Sequence, residues 1–240
     1  MKKISSIVTM IVFSAVWILT AGCAYDDTRA VNPEVSNGLI AHYKFTGNTK
    51  DSNGKTDLVA TNVSYAEDRH GVANGAISFD GQTSFAATSG PMPISSSAIS
   101  ISTWIYSTST ITSPLVTTVL ISSAVPSGSI DIWDYSYATG TVIGSARGSQ
   151  WTSLTVQPVT HNVWHHVVAM TDGQNQTASL YIDNVLIMQK SLTFKTTFEN
   201  FSWSLAHSAS LPTWWQGRVS NLRIYNRLLS TSEIDALYKE

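Results

Sequence analysis

The stretch SISISTWIYST sets Ile99, Ile101, Thr103 and Ile105 on one side of an extended chain and Ser100, Ser102, Trp104 and Tyr106 on the other. A two-residue period of this length marks a β-strand with one face in a core. A helix would need its apolar residues three and four apart. Comparable short runs recur. LIAHYKF, Leu39 to Phe45, alternates loosely, and TGNTKDSNGKTD after it is dense in turn formers. GAISFDGQTSFAAT predicts a hairpin at Asp80-Gly81, and TASLYIDNVLIMQK predicts another at Asp183-Asn184. No helical period appears before the last dozen residues. Short strands at close spacing, separated by turns, predict an all-β sandwich or barrel.

The chain opens with Met1, Lys2 and Lys3, then an apolar run from Ile4 to Leu19 interrupted by Ser5, Ser6, Thr9 and Ser14. A positive start, an apolar middle and small residues at the end predict a secretory signal over residues 1–22. A spanning helix would want about 20 strongly apolar residues. LTAGC, ending at Cys23, resembles the lipobox of bacterial lipoproteins, in which the cysteine is lipidated and becomes the mature N-terminus. Cys23 is the only cysteine, so it has no partner for an internal disulfide, and lipidation would account for it. By the same resemblance, Ala24 in place of Asp implies an outer-membrane destination, facing the periplasm or the cell surface. Residues 23–37, polar and carrying one Pro, read as a lipidated tether, and 38–240 as one domain.

Charge excludes one class of partner. Only 12% of residues are charged and the net charge is −2, so no nucleic-acid partner is expected, since that needs a basic patch. The C-terminal SEIDALYKE resembles the catalytic strand of a β-sandwich glucanase, but the geometry disagrees. On a strand Glu233 and Glu240, seven apart, would face opposite ways, whereas retaining hydrolysis needs two carboxyl groups about 5 Å apart. Ser230-Thr231-Ser232-Glu233 reads instead as a capping box that starts a short helix, with Ile234 and Leu237 on one face. His161, His165 and His166 in HNVWHHVV suggest a metal, but on a strand His165 and His166 point apart and serve structure. No phosphate loop and no nucleophile elbow is present, so no catalytic residues are assigned and the chain is read as a non-enzyme.

Five segments occur in a telling order: GLIAHYKFTGNTKDSNG, GVANGAISFDGQTSF, ISISTWIYS, VWHHVVAMTDGQNQTASLYIDNVLI and WWQGRVSNLRIYNRLLSTSEIDALY. Together they resemble the LamG-like jelly-roll domain of the concanavalin A-like lectin/glucanase superfamily, related to laminin G and pentraxins. That resemblance implies two antiparallel sheets packed as a jelly-roll sandwich, with a short C-terminal helix. It also implies that Trp104, Trp164 and Trp215 are packing positions. It further implies a structural calcium where the first and last long strands meet. Asp51 would then be a ligand, with Asn48 and Asn53 near it and Asn221 a neutral oxygen, although Ser220 and Asn221 stand where the family usually carries acids.

Aromatic residues are the feature that suits binding, because sugar rings stack on Trp and Tyr. DIWDYSYATG places Trp133, Tyr135 and Tyr137 on one face of a strand, and Trp151 and Trp214 are further candidates. Such a ladder also serves sheet packing, and both uses stay open here. The expected function is a lipid-anchored, carbohydrate-binding module of the cell envelope. A protein-interaction or adhesion domain is the alternative.

Overall fold

The computed structural model describes residues 33–108, 117–124, 129–135, 141–147, 151–154, 159–208 and 211–240; over 117–154 the description is of backbone pairing and the buried Ile132. The signal segment and Cys23 therefore lie outside the described residues. Pro33–Ser36 forms one helical turn, α1. Then come β1 (Leu39–Tyr43), β2 (Leu58–Thr61), β3 (Ser64–Ala66), β4 (Ala76–Asp80), β5 (Phe85–Thr88) and β6 (Met92–Ser96). The middle of the chain gives β7 (Ala98–Ser107), β8 (Thr117–Ala124), β9 (Ser129–Tyr135), β10 (Thr141–Arg147), β11 (Trp151–Leu154) and β12 (Trp164–Asp172). The remainder gives β13 (Thr177–Ile182), β14 (Val185–Ser191), β15 (Phe198–Leu205), β16 (His207–Ser208), β17 (Leu211–Trp214), β18 (Gln216–Tyr225) and α2 (Thr231–Lys239).

Two sheets form the sandwich. One runs β14-β13-β12-β7-β18-β4-β3, with β1 also on β18; the other runs β11-β10-β9-β8-β15-β5-β2, with β6 also on β15. The strand pairs are antiparallel, as a jelly roll requires. The alternation in β7 decides its orientation. Ile99, Ile101 and Ile105 point between the sheets with Val167, Leu180, Val219 and Ile224, and meet Leu58, Ala86, Ile132 and Trp203 of the other sheet.

The outer face of the first sheet is partly covered by a second core, in which Ile234 and Leu237 of α2 pack with Val168, Met170, Tyr225 and Leu229. Ser230 is the N-cap of that helix: its Oγ accepts from the Glu233 amide, and the Glu233 carboxylate accepts from the Ser230 amide, completing the capping box. Val35 of α1 joins this core at 1% exposure. The last residues of the stretch read as a tether are thus part of the fold, because burying Val35 against α2 outweighs the freedom of a polar linker.

Asp183 and Asn184 both have positive φ (50° and 65°) and close the two-residue β13–β14 hairpin, as the sequence predicts. The Asp80-Gly81 hairpin does not form. β4 belongs to one sheet and β5 to the other, so the turn between them carries the chain across the sandwich. Asp80 stabilises that crossing locally: its Oδ1 accepts the amides of Gln82, Thr83 and Ser84 at 2.8–2.9 Å, which is the geometry of a turn regardless of which strands follow.

Candidate functional site

His42 in β1 joins the two residues expected to hold calcium. Its backbone amide donates to Asp51 Oδ1 at 2.9 Å, and its Nε2 donates to Asn221 Oδ1 at 2.7 Å. Asn221 reaches it from an irregularity in β18, where the pairing register shifts between Ser220 and Arg223 and Asn221 has φ 56°. Burial first, then the Arg223 charge, pushes the His42 imidazole down to about 4, so it is neutral at pH 7.

The four lone-pair positions of the Asp51 carboxylate are all in use. Oδ1 accepts from His42 N and Asn53 N, both at 2.9 Å; Oδ2 accepts from Lys55 N at 3.1 Å and Thr56 N at 3.3 Å. Nearby, Asn48 Oδ1 accepts from Lys50 N, and Asp57 Oδ1 from Asp51 N. As folded, these residues do not fit a calcium ion, because a cation would have to displace an amide from Asp51 and the His42 donor from Asn221. Among the described residues no group of three or more His, Cys, Asp or Glu side chains is arranged to hold a metal. Asp51 instead acts as the internal anion that shapes its loop, a role the turn-rich sequence also accommodates.

The histidines of β12 and the C-terminal acids have structural partners. His165 Nδ1 donates to Asp183 Oδ2 at 2.6 Å, whereas His166 is buried with its Nε2 2.9 Å from Ser102 Oγ. Glu233 is held by Arg227, Asp235 accepts from Asn184 Nδ2 and Lys239 Nζ, and Glu240 pairs with Arg223 at 2.7 Å. Each carboxylate has its own donor, in keeping with a helix rather than a catalytic strand.

The aromatic candidates fall in different places. Trp133 and Tyr135 lie in β9, where the backbone of Trp133 stands between Val119 of β8 and Ile143 of β10. Trp151 opens β11 opposite Arg147. The side chains of these three, and Tyr137 as a whole, lie outside the described residues. Trp214 ends β17, half-buried, with its ring parallel to His207 at 4.0 Å and edge-on to Phe85 at 6.0 Å. Trp215 is fully buried, as the packing expectation requires.

Trp104 and Trp164 differ from that expectation. Both are half-buried on the outer face of the first sheet, because they alternate with core residues rather than replace them. Trp104 is stacked against Tyr238 of α2 at 5.6 Å and carries the Arg69 guanidinium over its ring at 4.5 Å. Trp164 stands beyond the helix and meets Tyr106 at 5.5 Å.

A row of side chains crosses five strands here. Ser64 of β3 pairs with Ser78 of β4, Ser78 with Arg218 of β18, Arg218 with Tyr106 of β7, and Tyr106 with Trp164 of β12. Directly paired residues share a face, and four strand spacings make the row roughly 19 Å long. Its neighbours along the strands, Ile77, Phe79, Val219 and Ile105, are in the core, so the row faces outward. Arg218 lies over the Tyr106 ring, its Cζ 5.0 Å from the centroid. At the Ser64 end of the row, reaching as far as Arg218, a cavity of about 320 Å³ is lined by Asn62, Ser64, Ser78, Asp80, Thr108 and Arg218, with Gln216 and Gly217. Gly217 makes room for the buried Trp215: a Cβ there would lie 2.4 Å from its ring.

Sequence reasoning placed Tyr106 on the outward face but did not assemble this row. The alternation of GRVSN shows Arg218 opposite to Val219, yet nothing local says that Arg218 stands beside Tyr106 or Ser78. Hydroxyls, amides and a guanidinium lining the cavity, with Tyr106 and Trp164 beside it on the same face, can hydrogen-bond and stack on a polyhydroxylated ligand.

Residues 79–235 match a laminin G-like family described as the Concanavalin A-like lectin/glucanases superfamily. Among solved structures, domain 4 of AbnA, an extracellular arabinanase from Geobacillus stearothermophilus, in complex with arabinotriose, superposes with a TM-score of 0.65 at 22% identity, covering 83% of this chain and 98% of that one. The binding domain of botulinum neurotoxin DC in complex with SialylT gives a TM-score of 0.66 at 13% identity over 85% of this chain and 52% of that one. The same toxin domain with rat synaptotagmin II gives 0.66 at 13%, over 84% and 51%. This chain thus spans about half the length of the toxin domains, and at these identities the likeness is one of fold. No curated protein sequence matches. With two antiparallel jelly-roll sheets and a family match over more than half its length, the chain belongs to the laminin G-like domains of the concanavalin A-like lectin/glucanases superfamily.

Proposed function

We propose that the protein is a non-catalytic carbohydrate-binding module, lipidated at Cys23 and held at the bacterial outer membrane. The observation that supports the binding role is the outward row Ser64–Ser78–Arg218–Tyr106–Trp164 with its adjoining cavity. Sugar C–H faces would lie on Trp164, with Tyr106 supporting Arg218 beside it, and hydroxyls would meet Ser64, Ser78, Asn62 and Thr108. Arabinotriose in domain 4 of AbnA and SialylT in the toxin domain are ligands of proteins with this fold, which agrees with the reading without identifying the ligand here. Neither the anchor nor the compartment bears on the groove itself. Both rest on the N-terminal signal and lipobox pattern.

The test is a glycan array probed with the protein and with Trp164→Ala, Tyr106→Ala and Trp133→Ala. Binding that is lost about tenfold or more in Trp164→Ala or Tyr106→Ala at an unchanged Tm supports the groove. Loss confined to Trp133→Ala would move the site to the opposite sheet, and no binding by a folded protein would overturn the carbohydrate reading. An adhesion role is the second reading. It draws on Val185 and Leu186, which are 58% and 47% exposed at the tip of the β13–β14 hairpin, and on the synaptotagmin complex of the toxin domain.

A further inference from the structure

Arg218 is the one charged residue in the middle of the outward row, and its surroundings are unusual for a half-buried cation. A guanidinium carries five N–H donors, and in a partly desolvated place these ordinarily meet acceptors. Here the ring of Tyr106 supports one face of the group at 5.0 Å, and among the described residues no side-chain or backbone oxygen accepts from it. The carboxylate nearest in the cavity lining, Asp80, does not serve. Its Oδ1 is taken by the amides of Gln82, Thr83 and Ser84 and by Ser84 Oγ, and its Oδ2 by Thr83 Oγ1. Burial opposes its charge, but these hydrogen bonds, led by those of Thr83, hold Asp80 ionised well below the usual carboxylate range. Two further cations of this face are engaged elsewhere: Arg69 lies over Trp104 and Arg223 pairs with Glu240.

A guanidinium placed over an aromatic ring still has its N–H donors, which occur as parallel pairs along its edges, to offer to a ligand. That fork matches the two oxygens of a carboxylate better than any arrangement of sugar hydroxyls. The groups around it are neutral donors and acceptors: Ser64, Ser78, Asn62, Thr108 and Gln216. They suit the ring hydroxyls of a sugar that carries the carboxylate.

We propose that this cavity selects acidic glycans, with Arg218, backed by Tyr106, binding the carboxylate of a uronic-acid residue while Trp164 carries an adjoining sugar ring. The proposal rests on the carbohydrate-binding reading and sharpens it to a ligand class. Asp80, at the cavity edge and ionised, limits the site to ligands whose single carboxylate lies at Arg218, and it disfavours densely charged ones.

Calorimetric titration of the intact protein tests this, with a panel of short oligouronides differing in ring configuration, each paired with its carboxyl-reduced neutral counterpart. A sulfated oligosaccharide of equal length is added as a third arm. At low salt at least one uronide should bind about tenfold tighter than its neutral partner, the gain expected of a charge-assisted bidentate pair. Arg218→Gln should remove that preference at the wild-type Tm, weakening the uronide about tenfold more than its neutral partner, while Arg218→Lys should restore only part of it. Equal binding of acidic and neutral partners, both lost in Trp164→Ala, would overturn the acidic preference and leave the carbohydrate reading standing. A sulfated ligand as tight as the uronide would overturn the carboxylate assignment. Absence of binding across the whole panel would overturn both.

Discussion

Arg227 and Glu233 form a two-pronged ion pair at the start of α2, with Nη1 donating to Oε2 at 2.8 Å and Nη2 donating to Oε1. The Ser230 amide adds a third bond to the same carboxylate at 2.7 Å, so the helix cap and the ion pair are one structure. Arg227 Nε also donates to the carbonyl of Asn37 at 2.8 Å, which ties the segment before β1 to the start of α2.

Replacing Glu233 should therefore loosen both. The Arg227 hydrogen bond, against the opposing effect of burial, lowers the Glu233 carboxyl from 4.5 to about 2. A depressed carboxyl contributes stability above its unfolded value and loses it as pH falls through the folded one. Glu233→Gln should cost about 2–3 kcal/mol at pH 7. The gap between variant and wild type should narrow from pH 4.5 downward. Urea unfolding of both proteins across that range measures it, and equal stability at pH 7 would refute the assigned role.

Asp51 gives the sharpest test of the calcium expectation. Asparagine offers one acceptor oxygen and would turn an NH₂ group toward two of the four amides that Asp51 now satisfies. Asp51→Asn should destabilise the fold by about 2–4 kcal/mol, since buried donors lose their acceptor. Thermal unfolding of the wild type should be the same in calcium and in chelator. A Tm several degrees higher with calcium would mean that an ion takes the place of one of these amides.

His42 makes stability depend on pH in a separate window. Its imidazole is lowered from 6.5 to about 4, by burial first and by Arg223 second, so the folded protein binds it neutral while the unfolded chain takes up a proton. Stability is therefore complete above pH 6.5 and declines as pH falls toward 4, by roughly 3 kcal/mol from this residue. Buried His166, lowered to about 3 chiefly by burial, acts in the same direction. His42→Gln, which keeps a donor for Asn221, should flatten the profile between pH 6.5 and 5 in denaturant titrations. An unchanged slope would show that His42 does not titrate in the fold as described.

Short-range features were legible in advance. The alternation of Ile99, Ile101 and Ile105 with Ser100, Ser102 and Trp104 set the two faces of β7, Asp183-Asn184 announced its turn, and Ser230 with Glu233 announced the cap. Each depends on residues within a few positions, so the information lies next to where it acts. The family pattern added that Asp51 and Asn221 would lie near one another, and they do share His42. It did not reveal that backbone amides occupy Asp51, because amide directions depend on how the whole loop closes.

The sequence by itself determined an antiparallel β protein with a capped terminal helix, since period, turn chemistry and capping are local properties of the chain. Tertiary structure alone decided which strands stand side by side. Asp80-Gly81 has the residues of a hairpin, yet β4 pairs with β18 and β5 with β15, because each strand's apolar face is buried best in a different sheet. The outward row follows from the same kind of choice. Ser64 and Trp164 are a hundred residues apart in the chain, and only the registers of β3, β4, β18, β7 and β12, pinned by the core residues beneath them, bring both into line with Arg218.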